Sequence, residues 1–507
     1  MQIDLNGPDV EYHNIVEGIR GLEVRPGFLT ELRVEDIGVQ TPRAANGTST
    51  KFLFGFSADS ANTGESYHYL FTADASSNLI CSLYDCQMVC RSSFTVGRMT
   101  QDAEPFSVAI NYNQIVVNSR SMPYPLWGFV GGSLVKANRV ESINPDTPAL
   151  TLFPGRVCSF ADRFAWAYAN QVIFNDPGTE PRTITAPNAI SFGGTVLDLF
   201  QSGEGGNLIV VCTDATYSIP PDGLNGYQFQ GVIARIPGYQ GARSNSAATS
   251  RGTTVGLVKD GVINIANFEK RALSTYRRRR NLSLPVGPFA SGDYRAGSII
   301  GADDNFMINI YRKSCMIDLD TGKATWMYPA ELNGVSDWSN NGGGDFEVVG
   351  ILKDSNGKNI YLTPTAVIEL FGVIDYAQTP TVATAEPLPA TPSGFICVNI
   401  GSDPQLSPVV REITTSADRP GQIQYSYVRS SLKQATTPIP QNAIVIGTSL
   451  WSATGNILER EYRSRRMQRA VRVDSPDLEV GFTGGGTRIY PVVDMETKGI
   501  GKNRPSN

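Results

Sequence analysis

The sequence predicts an all-β protein: a β-propeller of about six to eight blades, followed by a C-terminal β-rich domain. Three observations predict it. Fifty Gly and 31 Pro punctuate the 507 residues. The runs between them are rich in Val, Ile, Thr, Tyr and Phe, which suits pleated strands. From Lys51 to Phe371 hairpin-sized units follow one another without a helical period between them. Apolar residues make up 41% and charged residues 18%, enough to bury a core and too little charge for a disordered chain.

The first fifty residues hold few strand patterns, with a turn at Arg25-Pro26-Gly27-Phe28, and are expected to form an extended entry segment over 1–50. The propeller is expected over 51–374. Its first strands are Phe52 to Phe56, Tyr67 to Thr72 and Asn78 to Tyr84. Asn113-Gln114-Ile115-Val116-Val117-Asn118-Ser119 is echoed by Asn170-Gln171-Val172-Ile173-Phe174-Asn175-Asp176, with Ser77-Asn78-Leu79-Ile80 as a third copy. One hairpin recurring at equivalent places explains the echo. Asn207 to Val211 with Asp214 to Ile219, and Val255 to Val258 with Asp260 to Ile265, continue the pattern. Phe306 to Tyr311, Met316 to Leu319, Thr325 to Met327, Val348 to Leu352 and Asn359 to Leu362 add further strands. A propeller accommodates such units because each blade buries both faces against its neighbours and leaves only short edges.

The Pro-, Thr- and Ala-rich stretch from Tyr376 to Ser393 reads as a linker, placed at 375–394. A second β-rich domain is expected over 395–497, with strands at Ile396 to Ile400, Gln422 to Val428, Ala443 to Ile446 and Ala470 to Val473. A flexible tail is expected over 498–507. No basic, apolar leader opens the chain and no apolar run approaches membrane-spanning length, so a protein made in a cytoplasm and without a membrane span is expected. Seven Cys, an odd number, argue for reduced thiols rather than a disulfide framework.

No constellation for catalysis emerges. The two histidines, His13 and His68, stand beside no nucleophile and in no zinc-binding helix, and are read as surface or turn residues. Cys81, Cys86 and Cys90 lack metal-ligand spacing and read as small buried hydrophobes. Gly203-Glu204-Gly205-Gly206 and Gly342-Gly343-Gly344 lack the Lys-Ser/Thr of a phosphate loop. Asp303-Asp304 on a strand would face opposite sides, unlike a converging glycosidase pair. The chain is therefore expected to be no enzyme and to need no metal or cofactor. Two basic clusters stand out against a net charge of −5: Arg277, Arg278, Arg279 and Arg280, near Lys270-Arg271, and Arg460, Arg463, Arg465, Arg466, Arg469 and Arg472. They suit nucleic-acid phosphates or an acidic partner; with no interleaved aromatics for base stacking, a solvated face or intersubunit salt bridges are preferred over DNA contact.

Asp320-Thr321-Gly322-Lys323-Ala324-Thr325-Trp326 resembles the Asp box of sialidase-type propellers, a structural hairpin, with Asp318 where a Ser is usual. The stretch Asp162-Arg163-Phe164-Ala165-Trp166-Ala167-Tyr168 through Asn170 to Gly178 resembles a propeller blade of short-tailed bacteriophage tail proteins, the nozzle (tail tubular protein B) and packaged-DNA-stabilising hub families. Arg25-Pro26-Gly27, Leu257 to Ile265 leading into Asn267-Phe268-Glu269-Lys270-Arg271, and Phe306 to Trp326 extend the likeness in style over residues 10 to 370. The resemblance implies a virion protein of the tail: a homo-oligomer, a hexameric ring. It would dock to adaptor and fibre proteins and enclose a channel through which double-stranded DNA leaves without sequence-specific binding. Contact with the host cell surface is compatible with that place. The alternatives are a carbohydrate-binding receptor-recognition or fibre protein, using aromatics such as those in Met122-Pro123-Tyr124-Pro125-Leu126-Trp127, and a propeller-type glycoside hydrolase.

Overall fold

Seven four-stranded antiparallel units follow one another along the chain in the computed structural model, and every regular element described is a β-strand. Side chains are described most fully over residues 51–100, 106–137, 154–178, 189–202 and 206–221; elsewhere the description is mainly of individual strands and their pairing, from Gln2–Asp4 to Val492–Gly501. Blade 1 is Ser49–Asp59, Ser66–Asp74, Asn78–Asp85 and Cys90–Arg98. Blade 2 is Ser107–Asn111, Gln114–Asn118, Leu126–Phe129 and Val135–Lys136. Blade 3 is Val157–Phe160, Arg163–Tyr168, Gln171–Phe174 and Ala189–Ser191. Blade 4 is Val196–Gln201, Leu208–Cys212, Thr216–Ile219 and Ala234–Ile236, with the small hairpin Leu224–Asn225/Gln228–Phe229 before its last strand. Blade 5 is Ala247–Ser250, Thr253–Val258, Gly261–Asn264 and Lys270–Ala272. Blade 6 is Ser298–Ala302, Asn305–Ile310, Lys313–Asp318 and Ala324–Met327.

Blade 7 draws its strands from both ends of the propeller. Gly350–Lys353, Asn359–Leu362 and Ala366–Leu370 supply three strands, and Phe28–Arg33, from near the N-terminus, supplies the fourth, with Leu29 opposite Glu369 and Leu32 opposite Val367. The ring closes where the first strand of blade 7 runs parallel to the first strand of blade 1, pairing Gly350 with Gly55 and Ile351 with Phe56.

Among the described side chains, burial on both faces of a blade explains why its inner strands read as continuous apolar runs. In Gln114–Asn118 all five residues are buried. Ile115 and Val117 pack toward blade 1 with Phe71, Leu79 and Leu83. Val116, one position along and therefore on the opposite face, packs toward blade 3 with Val157, Phe164 and Trp166. The same exchange of faces joins blade 3 to blade 4 through Phe160, Phe174, Leu199 and Val210, blade 6 to blade 7 through Met307, Met327 and Tyr361, and blade 7 to blade 1 through Leu352, Leu362, Leu70 and Tyr84. Apolar area removed from water at about 25 cal/mol per Å2 makes these seams the main favourable term.

Besides the short pair Asp375–Tyr376/Pro389–Ala390, the strands after the propeller form two sheets, each completed by an N-terminal strand. Gln2–Asp4, Val492–Gly501, Leu406–Ser416 and Ser464–Arg472 form one, in that order. The other runs Val10–His13, Ser393–Asn399, Asp477–Thr483, Ile423–Val428 and Ile444–Leu450. It is continuous with blade 6, because Val10–His13 also pairs in parallel with Ala324–Met327, Tyr12 opposite Thr325. Thr325 Oγ1 donates to Ile15 O at 2.8 Å.

Several expectations shift. The first fifty residues, expected as an extended entry segment, carry five strands before Ser49–Asp59: Gln2–Asp4, Val10–His13 and Phe28–Arg33 complete sheets elsewhere, and Ile15–Gly18 pairs with Gly21–Val24 as a local hairpin. The three near-copies do not occupy equivalent places. Asn113 turns the first strand of blade 2 into its second, whereas Ser77-Asn78 and Asn170-Gln171 lie between the second and third strands of blades 1 and 3. What they share is a left-handed backbone at a tight turn, φ being 60° at Asn113, 62° at Ser77 and 49° at Ala169. Of the three, only Asn113 is a residue type that tolerates that conformation readily. Within 375–394, expected as a linker, Asp375–Tyr376 pairs with Pro389–Ala390, and Val492–Gly501 runs past Lys498 into the expected tail. Leu406–Ser416, absent from the expected strands, escaped because Pro408 and Arg411 interrupt its apolar pattern.

Candidate functional site

The chemistry the described residues offer is that of joints between blades. At the seam of blades 7 and 1 two glycines face each other. A Cβ on Gly350 would stand 2.3 Å from Gly55 O, and one on Gly55 would stand 2.6 Å from a Leu362 methyl. The backbones can approach this closely only because neither carries a side chain. One pair of residues further on, Lys353 N donates to Ser57 Oγ at 2.7 Å, and Ser57 Oγ lies 2.8 Å from His68 Nδ1. His68 is fully buried, not a surface or turn residue, because the second strand of blade 1 turns this position toward the seam along with Leu70. The side chain of His13 lies outside the described residues.

A second set of joints ties blades 2, 3 and 4 at the end of the ring where first strands begin. Arg156, just before blade 3, donates from Nε to Asp198 Oδ1 at 3.0 Å, and its Nη2 stands 2.9 Å from the same oxygen. Leu199 N also donates to that oxygen, at 2.9 Å. The two side chains are 6% and 2% exposed, so the pair is a buried link between blade 3 and the first strand of blade 4. Gly155 N donates to Asn118 Oδ1 at 3.2 Å, Val157 N to Ser107 Oγ at 3.0 Å, and Arg120 Nη2 to Val196 O at 3.0 Å. The charge-assisted bonds among these, made by Arg156, Asp198 and Arg120, are the strong ones. At the opposite end, Ala61 N donates to Asn113 Oδ1 at 3.0 Å, and the Tyr69 hydroxyl accepts from Gly131 N at 3.0 Å and donates to Gly132 O at 3.1 Å. Burial holds that phenol well above its usual range.

Of the arginines singled out from sequence, Arg277, Arg278, Arg279, Arg280, Arg460 and Arg463 lie outside the described residues. Arg465, Arg466, Arg469 and Arg472 fall on Ser464–Arg472, the last strand of its four-stranded sheet. Arg465 stands opposite Thr415, Arg466 opposite Thr414 and Arg472 opposite Val409. The register sets Glu412 one strand in, opposite Gln468, with Asp494 and Glu496 one strand further. The sheet therefore grades from acidic to basic toward this edge, and basic edge strands are one way that proteins discourage indiscriminate pairing.

The aromatics considered for a sugar platform are not displayed. Met122 and Leu126 are fully buried and Trp127 nearly so, and the Tyr124 hydroxyl donates to Val96 O. The Asp-box turn, Asp303-Asp304 and Gly342 to Gly344 lie outside the described residues. Among the described residues no group of three or more His, Cys, Asp or Glu side chains is placed to hold a metal ion, and no helix is long and apolar enough to cross a membrane.

Cys81 is buried, as expected, while Cys86 and Cys90 are only half-buried because they sit at the turn and the outer strand of blade 1. Burial raises the thiols of Cys81 and Cys158 far above their ordinary range and that of Cys212 to about 12. Since the thiolate is the reactive form, Cys81, Cys158 and Cys212 should remain unmodified when the native chain is treated with iodoacetamide at pH 8, and react on denaturation. Mass mapping of the alkylated peptides checks this; labelling of Cys158 in the native chain would contradict the packing of blades 3 and 4.

No family model matches the chain, and no curated protein does. Among solved structures, the extracellular domain of BT4673 from B. thetaiotaomicron aligns with a TM-score of 0.42 and 10% identity over 91% of this chain. This chain spans 63% of that one. The Pan2 WD40 domain of Neurospora crassa aligns with a TM-score of 0.37 and 9% identity, over 68% of this chain and 96% of that one. Apo AztD from Citrobacter koseri gives 0.32 and 12%, over 53% and 84%. The propeller assignment rests on the sheet order and the closing pair Gly55/Gly350.

Proposed function

We propose that this chain is a non-catalytic structural component of a short phage tail, a nozzle or hub, made in the host cytoplasm and carried in the virion. In this reading copies form a ring, hexameric by the resemblance, that docks to an adaptor ring and fibres and encloses the path of the outgoing DNA. The observation that carries the reading is the stretch from Asp162 to Gly178, whose resemblance to tail-protein blades was read from sequence. It supplies the second and third strands of blade 3.

The physical demands of a conduit support the same reading. A wall must keep its shape under load, and here both faces of the blades are buried, the ring is closed by a strand from the other end of the chain, and one sheet runs from blade 6 into the second β unit. A lining must not grip a polyanion, which a chain of net charge −5 can supply. The arginines of Ser464–Arg472 then serve protein contacts between copies, adaptor or fibres. Reversing charge with Arg465→Glu and Arg466→Glu together is expected to weaken association between copies at least tenfold while the monomer still folds. Circular dichroism and sedimentation read the two effects; assembly unchanged by the double reversal would remove these arginines from the contact.

A further inference from the structure

The end of the ring where first strands turn into second strands carries, on blades 1 to 3, an exposed apolar surface with carboxylates around it. Tyr112 is 66% exposed, and Phe129 and Val135 are 50% exposed each. Register holds the three together. Gln114, two residues past Tyr112, stands opposite Phe129, and Val130 N donates to Asn113 O. Val135 stands opposite Trp127, whose ring meets that of Phe129 edge-on at 5.8 Å. Blade 1 adjoins them: Ala61 N donates to Asn113 Oδ1, and a Cβ on Gly131 would lie 2.9 Å from the Tyr67 ring, whose hydroxyl donates to Glu65 Oε2 at 2.6 Å. Asp59 shares that hairpin, opposite Ser66. On the far side, Asp162 occupies the corresponding turn of blade 3, next to Arg163, whose carbonyl accepts from Asn111 Nδ2.

Among the described residues at this end of blades 1 to 3, the exposed cation is Arg91, which Asp85 already holds at 2.7 Å; the Arg163 side chain is only 3% exposed. The surface is therefore acidic around an apolar centre. Exposed apolar patches rimmed by polar groups mark contact sites. Aromatic rings beside carboxylates suit one side chain above others, because a guanidinium lies flat on a ring face while its N–H groups reach the carboxylates.

The chain itself carries the matching element. Ser464–Arg472, with the sequence SRRMQRAVR, holds four arginines and no acid. It is the last strand of its sheet, and its main packing partners are Leu406–Ser416 and Ile444–Leu450, with no strand of blades 1 to 3 among them. The two complementary surfaces of one copy are thus not joined to each other. A contact between two different surfaces of neighbouring copies is heterologous, the kind that closes into a ring when its rotation allows.

We propose that the arginine strand of one copy docks on the acidic, aromatic end of blades 1 to 3 of the next. This rests on the ring reading above and deepens it by naming the surface that receives the arginines.

The test is a charge swap in full-length chains. Asp59→Lys with Glu65→Lys reverses the receiving surface, and Arg465→Glu with Arg466→Glu reverses the strand. Asp59 and Glu65 are exposed, so the first variant should keep the circular dichroism of the unmodified chain. In sedimentation each variant alone should associate at least about tenfold more weakly than the unmodified chain. Mixed in equal amounts, the two should regain association to within about threefold, because arginines meet carboxylates at one junction and glutamates meet lysines at the next. Tyr112→Ser, which alters no charge, should weaken association about threefold through loss of the ring face. A receiving-surface variant that assembles like the unmodified chain, or a mixture that stays dissociated, overturns the docking. If unmodified chains form rings that the Asp59 and Glu65 reversal leaves intact, the ring reading stands and this contact falls. If unmodified chains are monomers at every concentration, both fall.

Discussion

Gly350→Val should open the propeller. The new Cβ would lie 2.3 Å from Gly55 O and 2.8 Å from Gly55 N. These are backbone atoms that cannot swing aside as a side-chain end could, and the two strands are hydrogen-bonded in parallel at this point. Overpacking of a tight site costs typically 1–3 kcal/mol and sometimes more. Here the cost falls on the seam that joins the last blade to the first, so we expect about 3 kcal/mol or more, together with loss of the Leu352, Leu362 and Tyr84 contacts across it. Gly64→Ala is the control. Gly64 has a φ of +70° with nothing within 4 Å of an added Cβ, so only the backbone cost of a left-handed Ala is paid, about 1–2 kcal/mol. Denaturant titration of both variants reads the difference, and equal losses would mean that the seam is not as close as the structure has it.

The second large effect is expected at Asp198→Ala. The carboxylate oxygen is the target of Arg156 Nε, Arg156 Nη2 and Leu199 N, and both charged side chains are nearly inaccessible. Removing one partner of a buried pair strands the other charge, at about 3–5 kcal/mol. The paired replacement Arg156→Met with Asp198→Leu removes both charges and should recover most of that loss, because desolvating two ions offsets much of their attraction. The double-mutant cycle discriminates: if Asp198→Ala and the paired variant are equally unstable, the joint between blades 3 and 4 depends on shape there and not on the ion pair.

Both sites show what could be read from residues alone and what could not. The strands of blades 1 to 4 that were legible, such as Asn78–Asp85, Gln114–Asn118 and Gln171–Phe174, were so because turn residues such as Ser77, Asn113 and Asn170 mark their ends and the runs between are apolar; others, such as Cys90–Arg98, Val157–Phe160 and Val196–Gln201, were not read. Read as alternating, those runs turn out to be buried on both faces, as Ile115, Val116 and Val117 show. The fourth strand of blade 7 was not legible, because Phe28–Arg33 (FLTELR) has a weak pattern and its partner lies at Ala366–Leu370. Local sequence carries no signal for pairing over such a distance. The Gly55/Gly350 contact was hidden for the same reason among fifty glycines. His68 was misread because its neighbours Tyr67 and Tyr69 suit either face of a strand; only the position of blade 7 decides that it is buried. The arginines were visible as composition, but their place at one edge of a sheet follows from a register that sequence does not show.

The mass of the intact protein in solution tests most directly whether copies of this chain build the proposed ring. Light scattering over a range of concentrations, with negative-stain images of the same fractions, should give a mass near six times 54.9 kDa and ring-shaped particles with a central opening. A strict monomer at high concentration, alone and after mixing with tail adaptor, would contradict the conduit and leave a closed seven-bladed propeller in need of another role.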